Sequence, residues 1–400
     1  MLEGPALEKA IRAILSRLGE INTAYIKKIA AQIKKIGGLN ATSVNRLLVM
    51  RDMGADIFEI NEELRIATAV NNATLAKIYE RALEESIADQ RFREYLAQTP
   101  QAITPEAKQR LVNFTRAVYR QTAGNLVNLS NTTALTPMYV EAVDKAILAT
   151  GTGLGSYTET MRDTIKQIGR AGMQVQYESG YHRRLDTAVR QNIVDGVNQI
   201  NKGASVMIGE AINEQAGRPV YDAIEISAHA RSAPDHEPVQ GRVFLLSEFQ
   251  QMQMGNPFRD VNGHLYDGFK RPIGEWNCRH TPFSFSTEWS KPQWTDEQLR
   301  QMAEENRKGC TIDGKHRTLY EAMQMMRDIE TAVRREKDTA IAAQAAGDDV
   351  LRQQCQRNIN ALVKRYAAVA QASGNAEKRQ RMTVEGFKAV RVTAKTGKQH

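Results

Sequence analysis

From Ser227 to Gly241 the chain runs Ser-Ala-His-Ala-Arg-Ser-Ala-Pro-Asp-His-Glu-Pro-Val-Gln-Gly, dense in side chains that bind, bridge or catalyse. A second run, Gly274-Glu275-Trp276-Asn277-Cys278-Arg279-His280, follows further along. On extended backbone alternate side chains share a face, which pairs His229 with Arg231 and Cys278 with His280. If the two runs meet, His229, His236, Cys278 and His280 can surround a structural Zn²⁺, whose preferred ligands are imidazole and thiolate. The His-x6-His and Cys-x-His spacings are not a standard zinc signature. A second reading is a hydrogen-bonded lock, with the imidazoles, Arg231, Arg279 and Gln240 satisfying the carbonyls of two long loops. Asp235, Gly241, Trp276 and Asn277 belong to the same structural motif. A third reading is a metal-dependent nuclease or hydrolase using Asp235, Glu237, Asn277 and His280. It lacks an H-E-x-x-H helix motif, and Ser232 has no G-x-S-x-G context. No catalytic residue is therefore assigned, and no cofactor is expected other than a structural zinc.

The formal net charge of +8 is concentrated at one end. Residues 351–400 hold eleven Lys and Arg against Glu377 and Glu385, which leaves the first 350 residues one unit negative. Lys378, Arg379, Arg381, Lys388, Arg391, Lys395 and Lys398 are the candidate contacts to DNA or an acidic partner. A solvated tail is the alternative. Contacts of basic side chains to phosphates would give affinity without sequence readout.

These residues need elements to position them, and most of the chain reads as helix. Leu7, Ile11, Ile14, Leu15 and Leu18 fall at spacings of three and four, and Ile21, Tyr25, Ile29, Ile33 and Ile36 extend the stripe to a break at Gly37-Gly38. Thr104-Pro105-Glu106 has the residue types of a helix start. Gly151-Thr152-Gly153-Leu154-Gly155-Ser156 is a linker, since no strand precedes it and no Lys follows as a phosphate loop requires. Helices are predicted from Tyr157 to about Gly169 and from about Leu185 to Gly217. The period then changes: 220–227, 241–246 and 283–286 read as strands, with an irregular loop over 252–276. Thr295-Asp296-Glu297-Gln298 is a capping-box signature, and helices are predicted over about Leu319–Ala345 and Val350–Ala372. The expected fold is mainly α with a small α+β module. Its expected divisions are an N-terminal helical region (1–150), a linker (151–156), a core of helices then an α/β module (157–290), C-terminal helices (293–372) and a basic tail (373–400). Three cysteines without a C-x-x-C pair argue against a disulfide scaffold and suit a compartment that is reducing, or a chain indifferent to redox. No apolar run approaches the roughly 18 residues of a membrane helix. The opening MLEGPALEKAIRAIL reads as a helix start, not a signal peptide.

Three blocks carry a resemblance. Arg183-Arg184-Leu185-Asp186-Thr187-Ala188-Val189-Arg190-Gln191-Asn192-Ile193 leads into Ile226–Gly241 and Trp276–His280. The third block is Gly314-Lys315-His316-Arg317-Thr318-Leu319-Tyr320-Glu321-Ala322, with Gln324, Arg327, Glu330 and Arg334 beyond it. Together they resemble the phage minor capsid protein 2 family, itself similar to the Mu F-like head morphogenesis proteins of tailed phages. The resemblance implies a Mu F-like α/β core in a structural minor capsid protein with no enzyme activity. It implies several copies per particle, associated with the portal inside the head, supporting head assembly and DNA packaging or ejection. The implied partners are the portal protein, the major capsid or scaffold protein, and packaged DNA bound non-specifically. No membrane is involved in the assembled head, and the implied location is the virion interior, with host cytoplasm during assembly. Many Mu F-like relatives have Cys-Arg-Cys at the position of Cys278-Arg279-His280, an exchange that preserves zinc-ligand capacity. Pro238 stands where the family pattern has Trp. The alternative functions are a zinc-dependent nuclease or toxin-like enzyme centred on the His/Cys cluster, and a helical scaffold or adaptor unrelated to phages.

Overall fold

The computed structural model describes residues 2, 4–37, 43–131, 157–268, 271–274 and 278–392. The linker at 151–156, Trp276, Asn277, Lys395 and Lys398 lie outside the described residues. The fold is mainly α with small β elements. The helices are α1 (Gly4–Gly37), α2 (Ser43–Ile87), α3 (Gln90–Gln98), α4 (Pro105–Asn131), α5 (Tyr157–Ala171), α6 (Leu185–Ala216), α7 (Leu246–Gln253), α8 (Asp296–Lys308), α9 (Leu319–Ala346) and α10 (Asp349–Ser373). No helix among the described residues is long and apolar enough to cross a membrane.

Local chemistry accounts for the helix boundaries. The apolar stripe of α1 is buried at Leu7, Ile11, Ile14, Leu18, Ile21, Tyr25, Ile29 and Ile33, and the helix ends at Gly37. Pro105 opens α4, where the Thr104 hydroxyl accepts the Ala107 N–H at 3.2 Å. Thr295 and Gln298 form the complete capping box of α8. Asp348 caps α10 by accepting the Leu351 N–H at 2.9 Å, and Gly374 follows the helix in the left-handed conformation, φ 63°.

The chain divides into two compact units, each assembled from three stretches. Unit 1 comprises Met1–Arg12, Asn72–Leu126 and Arg190–Glu321. Its centre is an antiparallel sheet of β3 (Ala223–Ile226) between β4 (Val243–Leu245) and β7 (Pro282–Phe285), with Glu225 opposite both Val243 and Phe283. Every residue of β3 and β7 is buried, so the polar ones need partners. Ser284 donates two hydrogen bonds of 3.0 Å to Ser205 on α6, from its N–H to the hydroxyl and from its hydroxyl to the carbonyl. A Cβ at Gly209 would lie 2.7 Å from the Ser284 hydroxyl oxygen, so glycine there lets the helix approach the strand. Ile224, Ile226, Val239, Phe244, Phe249, Met252, Phe258 and Ile273 form the core cluster beside the sheet.

Two of the three predicted strands are shorter than their apolar patterns. The Asn213 side chain on α6 takes the Val220 and Tyr221 N–H groups, each at 2.8 Å, so pairing on β3 starts only at Ala223. Gly241, at φ 69°, turns its N–H onto the Ile226 carbonyl at 2.8 Å before β4 begins. The 252–276 region is more regular than expected. It holds a hairpin of β5 (Phe258–Arg259) and β6 (Leu265–Tyr266), whose turn is pinned by Asp260 accepting the Asn262 and His264 N–H groups at 3.0 Å. A further hairpin, β8 (Cys310–Ile312) with β9 (Lys315–Arg317), turns at Asp313-Gly314, both at positive φ.

Unit 2 comprises Ala13–Asn71, Val127–Val189 and Ala322–His400. It contains the short hairpin of β1 (Gln174–Gln176) with β2 (His182–Arg184) and a buried polar network. Arg184 donates to Asp186 at 3.3 Å and to Asp338 at 2.5 Å, and Arg334 donates to Asp186 at 2.8 Å. The amide of Asn22 completes it, donating to Asp338 at 3.3 Å and accepting the Met173 N–H at 2.8 Å. The expected basic tail is packed rather than free as far as it is described. Glu385 accepts from Ser16 at 2.8 Å through its carboxylate and from Thr23 at 2.6 Å through its carbonyl. Lys337 donates to the Met382 carbonyl at 2.7 Å, and the Val390 N–H reaches Gln356 at 3.1 Å.

Candidate metal centre

The site belongs wholly to unit 1 and is built from two connections of its sheet. The link from β3 to β4 coils into a compact turn, in which the His236 and Glu237 N–H groups both reach the Ala233 carbonyl, at 3.1 and 3.0 Å. Val239 from this turn is fully buried in the core, while Pro238 is exposed. The neighbouring Val239 therefore anchors the turn, with no need for a large side chain at 238. The segment leading into β7 is stitched to the end of β3, since Ser227 donates its N–H to the Thr281 carbonyl at 3.0 Å and accepts the Thr281 N–H at 2.9 Å. Gln253 grips both polar groups of Ile273, at 2.9 and 3.1 Å, and so places the 271–274 stretch over the turn.

These constraints bring His236, Cys278 and His280 together, with ligand atoms all within 4.8 Å of one another. The three residues are 1, 4 and 4 % exposed. The Cys278 Sγ lies 3.5 Å from His236 Nδ1 and 3.6 Å from His280 Nδ1. The His280 N–H also points at the sulfur, at 3.4 Å. The far nitrogens face outward: His236 Nε2 is 3.0 Å from the Arg271 carbonyl, and His280 Nε2 is 3.4 Å from Gln240 Oε1 and 3.2 Å from the Ser232 hydroxyl. A carbonyl only accepts, so His236 carries its proton on Nε2. Gln240 Oε1 already accepts the His229 N–H at 2.8 Å, which identifies it as an acceptor and puts the His280 proton on Nε2 as well. Both Nδ1 lone pairs therefore face the sulfur. Burial keeps the rings neutral, lowering the His280 pKa to about 3, with the positive charges of Arg271 and Arg279 adding to it. Burial likewise lowers the His236 pKa and raises that of the Cys278 thiol.

The other residues singled out in the sequence have different placements. His229 lies outside the group of ligand atoms. Its ring sits beside His280 with centroids 4.9 Å apart, and its Nε2 is held by the Arg279 carbonyl at 2.7 Å. The expected set of four ligands thus narrows to three. Asp235 faces outward in a two-point pair with Arg271, at 3.0 and 3.1 Å. Gln240 bridges the two connections. Gly241 sits where a Cβ would lie 2.4 Å from Leu299, and Arg231 is half-buried on the same turn. Glu237 accepts from Asn306 of α8 at 2.7 Å, a tether between elements. Arg271 and Gln253, which hold the site from outside, had no periodic or motif signal in the sequence.

Among the basic residues, Lys378, Arg379, Lys388 and Arg391 are exposed, Arg379 being paired with Glu377 at 2.5 Å. Arg381 turns inward, 3.9 Å from Glu330, because Glu330 is buried and also accepts from Tyr366 at 2.8 Å. It is the least available of the described set to an external phosphate.

A family model described as phage minor capsid protein 2 matches residues 7–383, a span that takes in both units and every residue of the metal-centre geometry. No curated protein and no solved structure matches the chain. The chain belongs to the phage minor capsid protein 2 family and is thus a structural protein of a phage virion.

Proposed function

We propose that this chain acts inside the phage head at the portal vertex, supporting head assembly and DNA packaging or ejection, with its basic end against the packaged DNA. The observation that carries the reading is the family match over residues 7–383. The DNA contact is supported by the placement of charge: the excess positive charge lies in residues 351–400, and Lys378, Arg379, Lys388 and Arg391 are presented to solvent. A protein that neutralises phosphates releases counterions, so its affinity falls with salt by about 0.9 logarithmic units per phosphate for each tenfold rise. Binding of the full chain to duplex DNA of arbitrary sequence is therefore expected to weaken steeply with salt. Reversing Lys378, Lys388 and Arg391 to Glu should lower that slope by about three. Salt-insensitive binding, or none, contradicts the DNA contact. The portal contact is tested by mixing purified portal with the full chain, where co-migration is expected and separate migration counts against it.

A further inference from the structure

We infer that His236 Nδ1, Cys278 Sγ and His280 Nδ1 are three protein ligands of a Zn²⁺ ion that ties the β3–β4 turn to the lead-in of β7. The inference goes beyond the reading of the chain as a head protein and does not depend on it.

Distance is the first argument. In a tetrahedral site with Zn–S near 2.3 Å and Zn–N of about 2.0–2.1 Å, sulfur and nitrogen ligands stand about 3.5 Å apart. The two sulfur–nitrogen separations here are 3.5 and 3.6 Å.

Proton count is the second. Two Nδ1 lone pairs face one sulfur, and a thiol has one hydrogen to give. The thiol hydrogen can serve only one of the two nitrogens at a time. Arg271 Nη2 is 3.5 Å from His236 Nδ1, at the outer limit of a hydrogen bond, and it also pairs with Asp235 at 2.8 Å. A cation among the three atoms satisfies both lone pairs and a thiolate together, and the His280 N–H already points at the sulfur as a thiolate would require.

The outer contacts are the third argument. Metal-binding imidazoles usually donate their remote N–H to a carbonyl or carboxylate, which fixes the tautomer and aims the ring. The Arg271 carbonyl does this for His236, and Gln240 for His280. Gln240 is itself held by the His229 backbone, so His229 supports the centre without ligating it.

The mixed nitrogen–sulfur set favours zinc over the hard cations, which prefer oxygen. No fourth His, Cys, Asp or Glu among the described residues joins the group. With the three side chains buried, the ion would act as a cross-link between two connections of the sheet rather than as a centre open to substrate.

The test uses the untagged full chain, purified without chelator. Elemental analysis should find one zinc per chain. Replacing zinc with Co²⁺ should produce a thiolate-to-cobalt charge-transfer band with tetrahedral ligand-field absorption. Cys278→Ser should abolish the band, whereas Cys310→Ser and Cys355→Ser should retain it. Gln240→Ala, which removes the outer contact to His280 and the tether to the His229 backbone but no ligand, should weaken the metal about 10–100-fold. Because Cys278→Ser can also disturb folding, chelation of the wild-type protein supplies a measurement without a variant: the thermal midpoint read by tryptophan fluorescence should fall and recover when Zn²⁺ is restored. Wild-type protein that takes up no equivalent of Zn²⁺ or Co²⁺, or a charge-transfer band that survives Cys278→Ser, overturns the assignment.

Discussion

Glu225 has a carboxyl group at the middle of a three-stranded sheet, 1 % exposed, with the Gln293 N–H as a hydrogen-bond donor at 2.6 Å. Burial pushes its pKa up to about 7, against the smaller opposing effects of that hydrogen bond and of Arg91. The folded state therefore holds a proton that the unfolded chain, with an ordinary carboxylate, has already released. Stability from this group is fully present below about pH 4.5 and is lost as pH rises through 7, a change on the order of 3 kcal/mol. All three tryptophans, Trp276, Trp289 and Trp294, belong to unit 1, so their fluorescence reports its unfolding. Glu225→Gln is expected to raise the urea midpoint at pH 8 and leave it little changed at pH 4.5. An unchanged midpoint at both values would show that the carboxyl ionises without cost. At this scale the sequence was partly informative. Cys278 and His280 were recognisable because ligand types two apart on extended backbone share a face. His236 was recognisable only as a member of a dense polar run. Choosing between His236 and His229 required the Arg279 and Arg271 carbonyls, which come from backbone far along the chain.

At the scale of elements, helices were the most legible part. The expected Leu319–Ala345 and Val350–Ala372 correspond to α9 and α10 within a residue at each end, because Asp348 and Gly374 punctuate an apolar period of 3.6. Hairpins with strands of two or three residues are too short to show a period, so β1–β2, β5–β6 and β8–β9 were not distinguished. The packed stretch from 374 to 392 was obscured by its charge, since its contacts use backbone carbonyls and single side chains such as Glu385. Arg184, Asp186 and Arg334, noticed as parts of a family pattern, prove to be one buried network. Asp338→Ala would leave Arg184 short of a partner in the interior, with an expected cost of about 3–5 kcal/mol. Hydrogen exchange across residues 322–346 is the suitable readout. Much faster exchange is expected, and unchanged protection would mean that the network carries no weight. The same network sets an acid limit. Burial acts to raise the Asp186 pKa, but the charges of Arg184 and Arg334 outweigh it and hold the group well below the ordinary carboxylate range. Its contribution is present above about pH 4 and is lost as pH falls further, while burial raises the Asp338 pKa and acts the other way, so the fall of exchange protection in acid that is due to Asp186 should be absent in Asp186→Asn.

At the scale of the whole molecule, a net charge of +8 suggests a general nucleic-acid binder, yet the charge belongs almost entirely to the last fifty residues. The rest is a near-neutral, mainly helical protein. That division suits a structural part of a virion, and the proposed DNA contact falls on its basic end. The family match gives the setting, and the proposed location at the portal makes the setting specific. The most direct measurement is an asymmetric reconstruction of assembled heads, compared with heads assembled without this chain. Density that depends on the chain is expected inside the shell at the portal vertex alone. Density on the outer surface, or at every vertex alike, would contradict the proposal.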